Sequence, residues 1–295
     1  MAISRELMNK MAQKLTIERL SQEFYNNIEG LLQDVLVDVS KKNNLPLNQL
    51  NFFIAGDHML NTNILNSSPL VVFVSIKQNK EDVLLFRKSK NLSKKMQKFV
   101  TPALNVTDEF LATHLFYALQ AQLDTSEKIF LSKNVIMLNL NNTIKIKIIV
   151  GYYFNQIFEY EYLGSLYEEN LLNLIEAFDQ KEKETSYFYT LVRILKSMEL
   201  EVYDLGFIKQ KTFDTFYFIE NLVYNIPNEL LSGSDIYDVF IKAINYLKNA
   251  KLNEFKLASK EQLMFTKESH YSVNKAKFFI KVIEKFFTHF EKIFA

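Results

Sequence analysis

Two apolar runs, Phe52–Ala55 and Leu70–Val74, flank a polar stretch that opens with Gly56-Asp57 and closes with Ser67-Ser68-Pro69. Their aromatic and β-branched residues suit strands. The glycine between them suits a tight turn. The pattern predicts two strands joined through a glycine turn, and this block constrains the fold most when read with the segments that follow it.

The flanking segments predict what surrounds that sheet. Residues 5–40 carry apolar side chains at spacings of three and four, from Leu7 and Met11 to Leu36 and Val39, as one long helix would. Gly30 is its weak point, and Asn43, Asn44 and Pro46 end it. Further strands are expected at 127–131, 134–140 and 143–150, with a hairpin turn at Asn141-Asn142. Helices are expected at 80–99 and at 108–123, the second capped by Thr107-Asp108-Glu109. From about residue 166 the pattern is helical, in segments 166–183, 185–200, 213–225, 234–249 and 272–293. Ser234-Asp235 caps the fourth of these, and Pro227 ends the third. The expected class is α+β: a long N-terminal helix, a mixed sheet, then a helical lobe. The expected division is an α/β lobe at 1–160 and a helical lobe at 161–295.

Composition removes several classes of chemistry. The 295 residues carry a net charge of +1, so any nucleic-acid or membrane partner must be met by a local patch. There is no cysteine, which excludes disulfides, thiolate metal sites and cysteine nucleophiles. The histidines, His58, His114, His270 and His289, show no paired ligand spacing. No P-loop, nucleophile elbow or dinucleotide-binding glycine pattern occurs. The first residues lack a signal-peptide core, and no apolar run reaches the ~18 residues that span a bilayer. A cytoplasmic protein with no membrane partner is the expectation.

Residues 52–74 resemble the signature of the nucleotidyltransferase superfamily with its metal-binding acids removed. Members of that superfamily have a strand, a Gly-Ser turn, a short helix and a strand bearing Asp-x-Asp. Further along, residues 187–198, YFYTLVRILKSM, resemble a helix of the bacterial relatives of oligoadenylate synthetase and cyclic GMP-AMP synthase. The same holds for residues 215–231, TFYFIENLVYNIPNELL, and for 236–247, IYDVFIKAINYL. The run from Glu220 to Pro227 is the most specific part.

The resemblance implies two divalent ions that bind a triphosphate and activate a hydroxyl, held by carboxylate oxygens. Two of the acids would fall at Pro69 and Val71, and the third within Lys145–Ile149, where no carboxylate occurs. It further implies nucleotide contacts at Gly56, Asp57, Ser68 and Lys196. Asp57 replaces a phosphate-binding serine, and its charge would repel a polyphosphate unless a cation or lysine intervened. As a residue, Asp57 also suits a turn in which it bonds its own backbone.

One run is strongly basic: Arg87, Lys88, Lys90, Lys94, Lys95 and Lys98 lie within 87–98 with no acid among them. On a helix, 87/90/94/98 form one stripe that could neutralise phosphates; the alternative is a solvated helix face. The C-terminal segment 272–294 combines a wide apolar face with basic residues. It packs on the helical lobe or forms a dimer or partner interface.

The resulting expectation is a catalytically degenerate nucleotidyltransferase-fold protein that acts by binding a nucleic acid, a nucleotide or a protein and has no cofactor. The rivals are an active nucleotidyltransferase with a rebuilt site that uses Mg²⁺, and a structural interaction protein without a ligand.

Overall fold

In the computed structural model the described residues are 3–14, 22–55, 57, 62, 69–78, 81–83, 107–123, 128–140, 144–154, 157–162, 165–209, 217–266 and 271–294. They form two compact units. One comprises Arg19–Ala55 and Pro69–Leu171; the other comprises Met1–Glu18, Gly56–Ser68 and Leu172–Ala295.

The first unit is built on a mixed sheet. Its strands are β1 (Leu50–Ala55), β2 (Leu70–Lys77), β3 (Lys128–Ser132), β4 (Val135–Leu140), β5 (Ile144–Phe154), β6 (Ile157–Tyr162) and β7 (Ser165–Glu169). The order is β1-β2-β5-β4-β3, with β6 joined to β5 and β7 to β6. β1 and β2 are antiparallel neighbours, as the sequence predicts, while β2 and β5 run parallel.

β2 is buried on both faces along all but its last residue. Leu70, Val72, Val74 and Ile76 share a core with Ile146, Ile148 and Val150. That core also holds Ile28, Leu32, Val35 and Val39 of one helix (Gln22–Asn43) and Leu111, Leu115 and Leu119 of another (Asp108–Gln122). On the alternate positions Phe53, Phe73 and Phe158 form an aromatic cluster, with ring centroids 4.4–5.4 Å apart. The residues that follow β3 make a two-residue turn whose Asn134 donates from its side chain to the Val150 carbonyl at 2.9 Å. Val150 N–H donates back to the Asn134 carbonyl, also at 2.9 Å. A buried amide thus ties the turn to β5.

The helices end where local chemistry stops them. The helix Gln22–Asn43 gives way to Asn44 at φ 52°, and the Ser40 hydroxyl donates to the Leu45 carbonyl at 2.6 Å. Thr107 caps Asp108–Gln122 by accepting from Phe110 N–H at 3.1 Å. The register of β4 and β5 leaves residues 141–143 between the paired Leu140 and Ile144; the Asn141-Asn142 turn itself lies outside the described residues.

The second unit is helical. Its helices are Arg5–Lys14, Leu171–Thr185, Phe188–Asp204, Phe218–Tyr224, Ile236–Asn249 and Val273–Phe294, with a small hairpin of β8 (Lys256–Leu257) and β9 (Lys260–Leu263). Phe178, Phe188, Phe218, Phe240 and Phe279 are fully buried in its core. Asp235 caps the helix Ile236–Asn249 by accepting from Tyr237 and Asp238 N–H, at 2.7 and 3.2 Å. Arg5 pairs with Asp235 and Asp238 and docks the first helix there.

Several expectations change. Of the helix expected over 5–40, the described parts are Arg5–Lys14 and Gln22–Asn43, and residues 15–21 lie outside the described residues. Residues 166–169, expected to open a helix, pair with β6 as β7. The helix expected over 80–99 is described only at 81–83. The basic residues Arg87, Lys88, Lys90, Lys94, Lys95 and Lys98 lie outside the described residues, as do Gly56, His58, Ser68 and His270. Among the described residues, no helix is long and apolar enough to cross a membrane.

Candidate functional site

Two places carry the chemistry that the sequence singles out, one in each unit. In the sheet, β2 and β5 pair with Leu70 beside Ile146 and Val71 beside Lys147. Neighbours in a parallel pair project to the same face. Val71 and half-buried Lys147 therefore share one face at the start of β2, where Pro69 immediately precedes the strand. The register assigns the third acid's place to Lys147 if the three positions are to converge. A pyrrolidine ring, an isopropyl group and an ammonium group offer no oxygen ligand, and the ammonium repels a cation. The residues present do not fit a divalent metal. Among the described residues no other cluster of acids or histidines is arranged to hold one.

In the helical unit, Lys196 is 2% exposed. Its Nζ lies 2.5 Å from Glu220 Oε1 and 2.8 Å from Asp57 Oδ1. It also donates to the Thr62 hydroxyl at 3.3 Å, and that hydroxyl donates to Glu220 Oε1 at 2.9 Å. Burial disfavours the charged lysine, yet the carboxylates of Asp57 and Glu220 outweigh it and hold the Lys196 ammonium above its usual range. Glu220 is 1% exposed, so this is a buried triad of two acids and one base. Its net charge is −1, which does not favour an added anion. The lysine that the resemblance assigns to phosphate is committed to two carboxylates, and one of them is the Asp57 that stands in the serine's place.

The helix Phe188–Asp204 carries Lys196 inward because its neighbours Val192, Ile194, Leu195 and Met198 are buried apolar residues. Arg193, one turn earlier, is also largely buried and donates to the Thr190 hydroxyl at 3.0 Å. Burial pulls its guanidinium down, against Glu182.

The Glu220–Pro227 motif explains itself largely as architecture. Glu220 anchors Lys196. Asn221 accepts from Ala258 N–H and donates to the Tyr217 carbonyl, both at 2.8 Å. Asn225 exchanges two 2.8 Å hydrogen bonds with the Lys256 backbone. The Ile226 carbonyl accepts from Lys181 Nζ at 2.7 Å. The motif thus sews the β8–β9 hairpin and a neighbouring helix onto Phe218–Tyr224.

The sequence did not single out Thr62 or Glu220 as site residues. A signal for Glu220 existed: an acid opening a short apolar helix with six buried residues needs an internal cation.

Comparison with known proteins bears on the fold and on the helical domain. The model of the cGAS/DncV-like nucleotidyltransferase C-terminal helical domain family matches residues 176–288. No curated protein matches the sequence. Solved structures match over nearly the whole chain. Elizabethkingia meningoseptica CdnE, a cyclic dinucleotide synthase with GTP and Apcpp, has a TM-score of 0.70 at 16% identity, covering 96% of this chain and 98% of its own. Rhodothermus marinus CdnE, a c-UMP-AMP synthase with Apcpp and Upnpp, has a TM-score of 0.63 at 15% identity, covering 94% and 95%. The E. coli CdnC:HORMA-deltaN complex matches with a TM-score of 0.58 at 13% identity, covering 96% and 87%. The match over residues 176–288 assigns the helical domain of this chain to the cGAS/DncV-like C-terminal kind, and the chain as a whole shares the fold of these solved structures.

Proposed function

We propose that this protein is a catalytically degenerate nucleotidyltransferase that acts by binding and does not perform metal-dependent nucleotidyl transfer. One observation carries the reading: Val71 lies beside Lys147 in the β2–β5 register, two residues after Pro69. Those are the positions where the resemblance calls for three carboxylates. Two metal ions supply several kcal/mol of transition-state stabilisation, and each ~1.4 kcal/mol is tenfold in rate. Loss of both ions removes turnover to below practical detection. The Asp57–Lys196 pair supports the same reading, since it neutralises a cation that a triphosphate would otherwise meet.

A second reading, an active enzyme with a rebuilt site, draws on the full-length match to synthases that hold GTP and Apcpp. Its substrates would be nucleoside triphosphates, and Asp57 would be its available acid. The deciding experiment incubates the protein with each labelled nucleoside triphosphate, Mg²⁺ or Mn²⁺, and RNA, protein or nucleotide acceptors. Degeneracy predicts no product above background. Robust turnover that disappears in Asp57→Ala would overturn it. The basic run 87–98 is the proposed nucleic-acid contact, and it predicts binding that falls steeply with salt.

A further inference from the structure

The helical unit has a groove of about 560 Å³ between the C-terminal end of the helix Phe188–Asp204 and the last helix, Val273–Phe294. Its floor is apolar, with Val202, Ile208 and Phe286 buried there. Two rings stand at its rim: Phe207 is 62% exposed and Phe278 is 50% exposed.

Phe207 is put there by backbone geometry. Gly206 has φ +76° and its N–H bonds to the Tyr203 carbonyl at 2.8 Å, while Phe207 N–H bonds to the Val202 carbonyl at 3.0 Å. This is the glycine-ended helix stop in which the residue after the glycine packs back on the helix. The packing accounts for the direction of the Phe207 ring but leaves most of it in solvent.

Among the described residues, the charged side chains lining the groove are Lys281 and Lys285; both are exposed, as is the His289 ring beside them, and no described acid lines it. They lie four residues apart on one helix, so their bases are spaced by about 6 Å and span about 12 Å. A single carboxylate or phosphate meets one of them. A ligand with acids repeated at one helical turn meets both lysines and can reach the His289 ring. Large exposed apolar area rimmed by like charge is the mark of a partner surface.

We infer that this groove docks an acidic amphipathic helix of a partner protein. Its apolar side chains enter between Phe207 and Phe278, and its Asp or Glu residues, one turn apart, face Lys281, Lys285 and His289. The assignment is separate from the nucleotide question and holds whether or not the chain turns over nucleotides.

The test is a displayed library of helices with fixed leucines at heptad-like spacing and randomised intervening positions. It is selected against the wild-type protein, against Lys281→Glu/Lys285→Glu and against Phe207→Ser. All three are checked by circular dichroism for the same fold. Wild type is expected to enrich Asp and Glu at positions one turn apart. The charge-reversed variant should favour Lys and Arg and bind the wild-type winners roughly tenfold or more weakly. Phe207→Ser should also weaken the winners. Recovery of no helices, or of the same helices from wild type and the charge-reversed variant, overturns the inference. Saturable binding of a dansylated fatty acid or of anionic vesicles, with no selected peptide, also overturns it and assigns the groove to a lipid.

Discussion

The start of β2 and the surroundings of Lys196 have met opposite fates. In the first, the positions that would hold free cations carry a proline, a valine and a lysine. In the second, three charged side chains stand together, two of them almost wholly buried, and the one lysine is shared by two carboxylates. The charges in the helical unit have partners that the fold itself supplies, whereas a cation at the start of β2 would have to come from solution and would meet Lys147. A buried ion pair is costly to break even when it contributes little net stability, so a triad of this kind persists for structural reasons alone. That asymmetry is what degeneracy of a ligand site predicts.

The largest expected effect breaks the second region. Lys196→Ala strands Glu220 at 1% exposure without its cation, and a loss of about 3–5 kcal/mol is expected. Replacing Lys196 and Glu220 together by Met should cost much less. Urea denaturation of the single and double variants measures both. Equal losses would mean that the pair is not the source of the cost.

The next effect probes the first region. Val71→Asp places a carboxylate at a 4% exposed position beside Lys147. It is expected to destabilise by about 2–4 kcal/mol, and Mg²⁺ should not restore the loss, because Pro69 and Lys147 still supply no oxygen. Melting curves with and without Mg²⁺ check this. A metal-dependent rise in Tm would show that the site is one substitution from working.

Asn221→Ala should cost about 1–3 kcal/mol, since it leaves the Ala258 N–H and the Tyr217 carbonyl without their side-chain partner. The same measurement separates this architectural role from nucleotide binding, which the variant should leave unchanged. A smaller effect of opposite sign is expected at Gly30. It is an exposed helix-interior position with nothing within 4 Å of an added Cβ, so Gly30→Ala should stabilise by about 0.5–1 kcal/mol.

The smallest effect is one of pH. Asp235 has a lowered pKa: burial raises it, but the Asp238 and Tyr237 N–H groups and Arg5 outweigh this. A depressed carboxyl contributes stability above its unfolded pKa of about 3.9 and loses it as pH falls through the folded value. Asp235→Asn should therefore flatten the acid limb of the melting profile, and an unchanged limb would remove the capping and Arg5 contacts from the account.

Much of the fold was legible because its signals are local. β2 and β5 are long apolar runs, and the caps Thr107 and Asp235 precede periodic helices. The β6–β7 hairpin was missed because its alternation of aromatic and glutamate residues leads straight into helical residues. The β8–β9 hairpin is short and polar, and asparagine side chains 31 and 37 residues away hold it. At the proposed site, positions 69 and 71 came from the resemblance alone. The Lys147 position needed the strand register. The partners of Lys196 could not be read, because Thr62 lies 134 residues from it and no local pattern records the contact.

The proposed function requires that β2 and β5 form no metal site. Titration of Mn²⁺ followed by electron paramagnetic resonance, with a non-hydrolysable nucleoside triphosphate present, tests it most directly. The account predicts that adding the protein removes no more free Mn²⁺ signal than the triphosphate alone removes. A protein-dependent loss of about two Mn²⁺ per chain, the stoichiometry of a two-metal site, would contradict it.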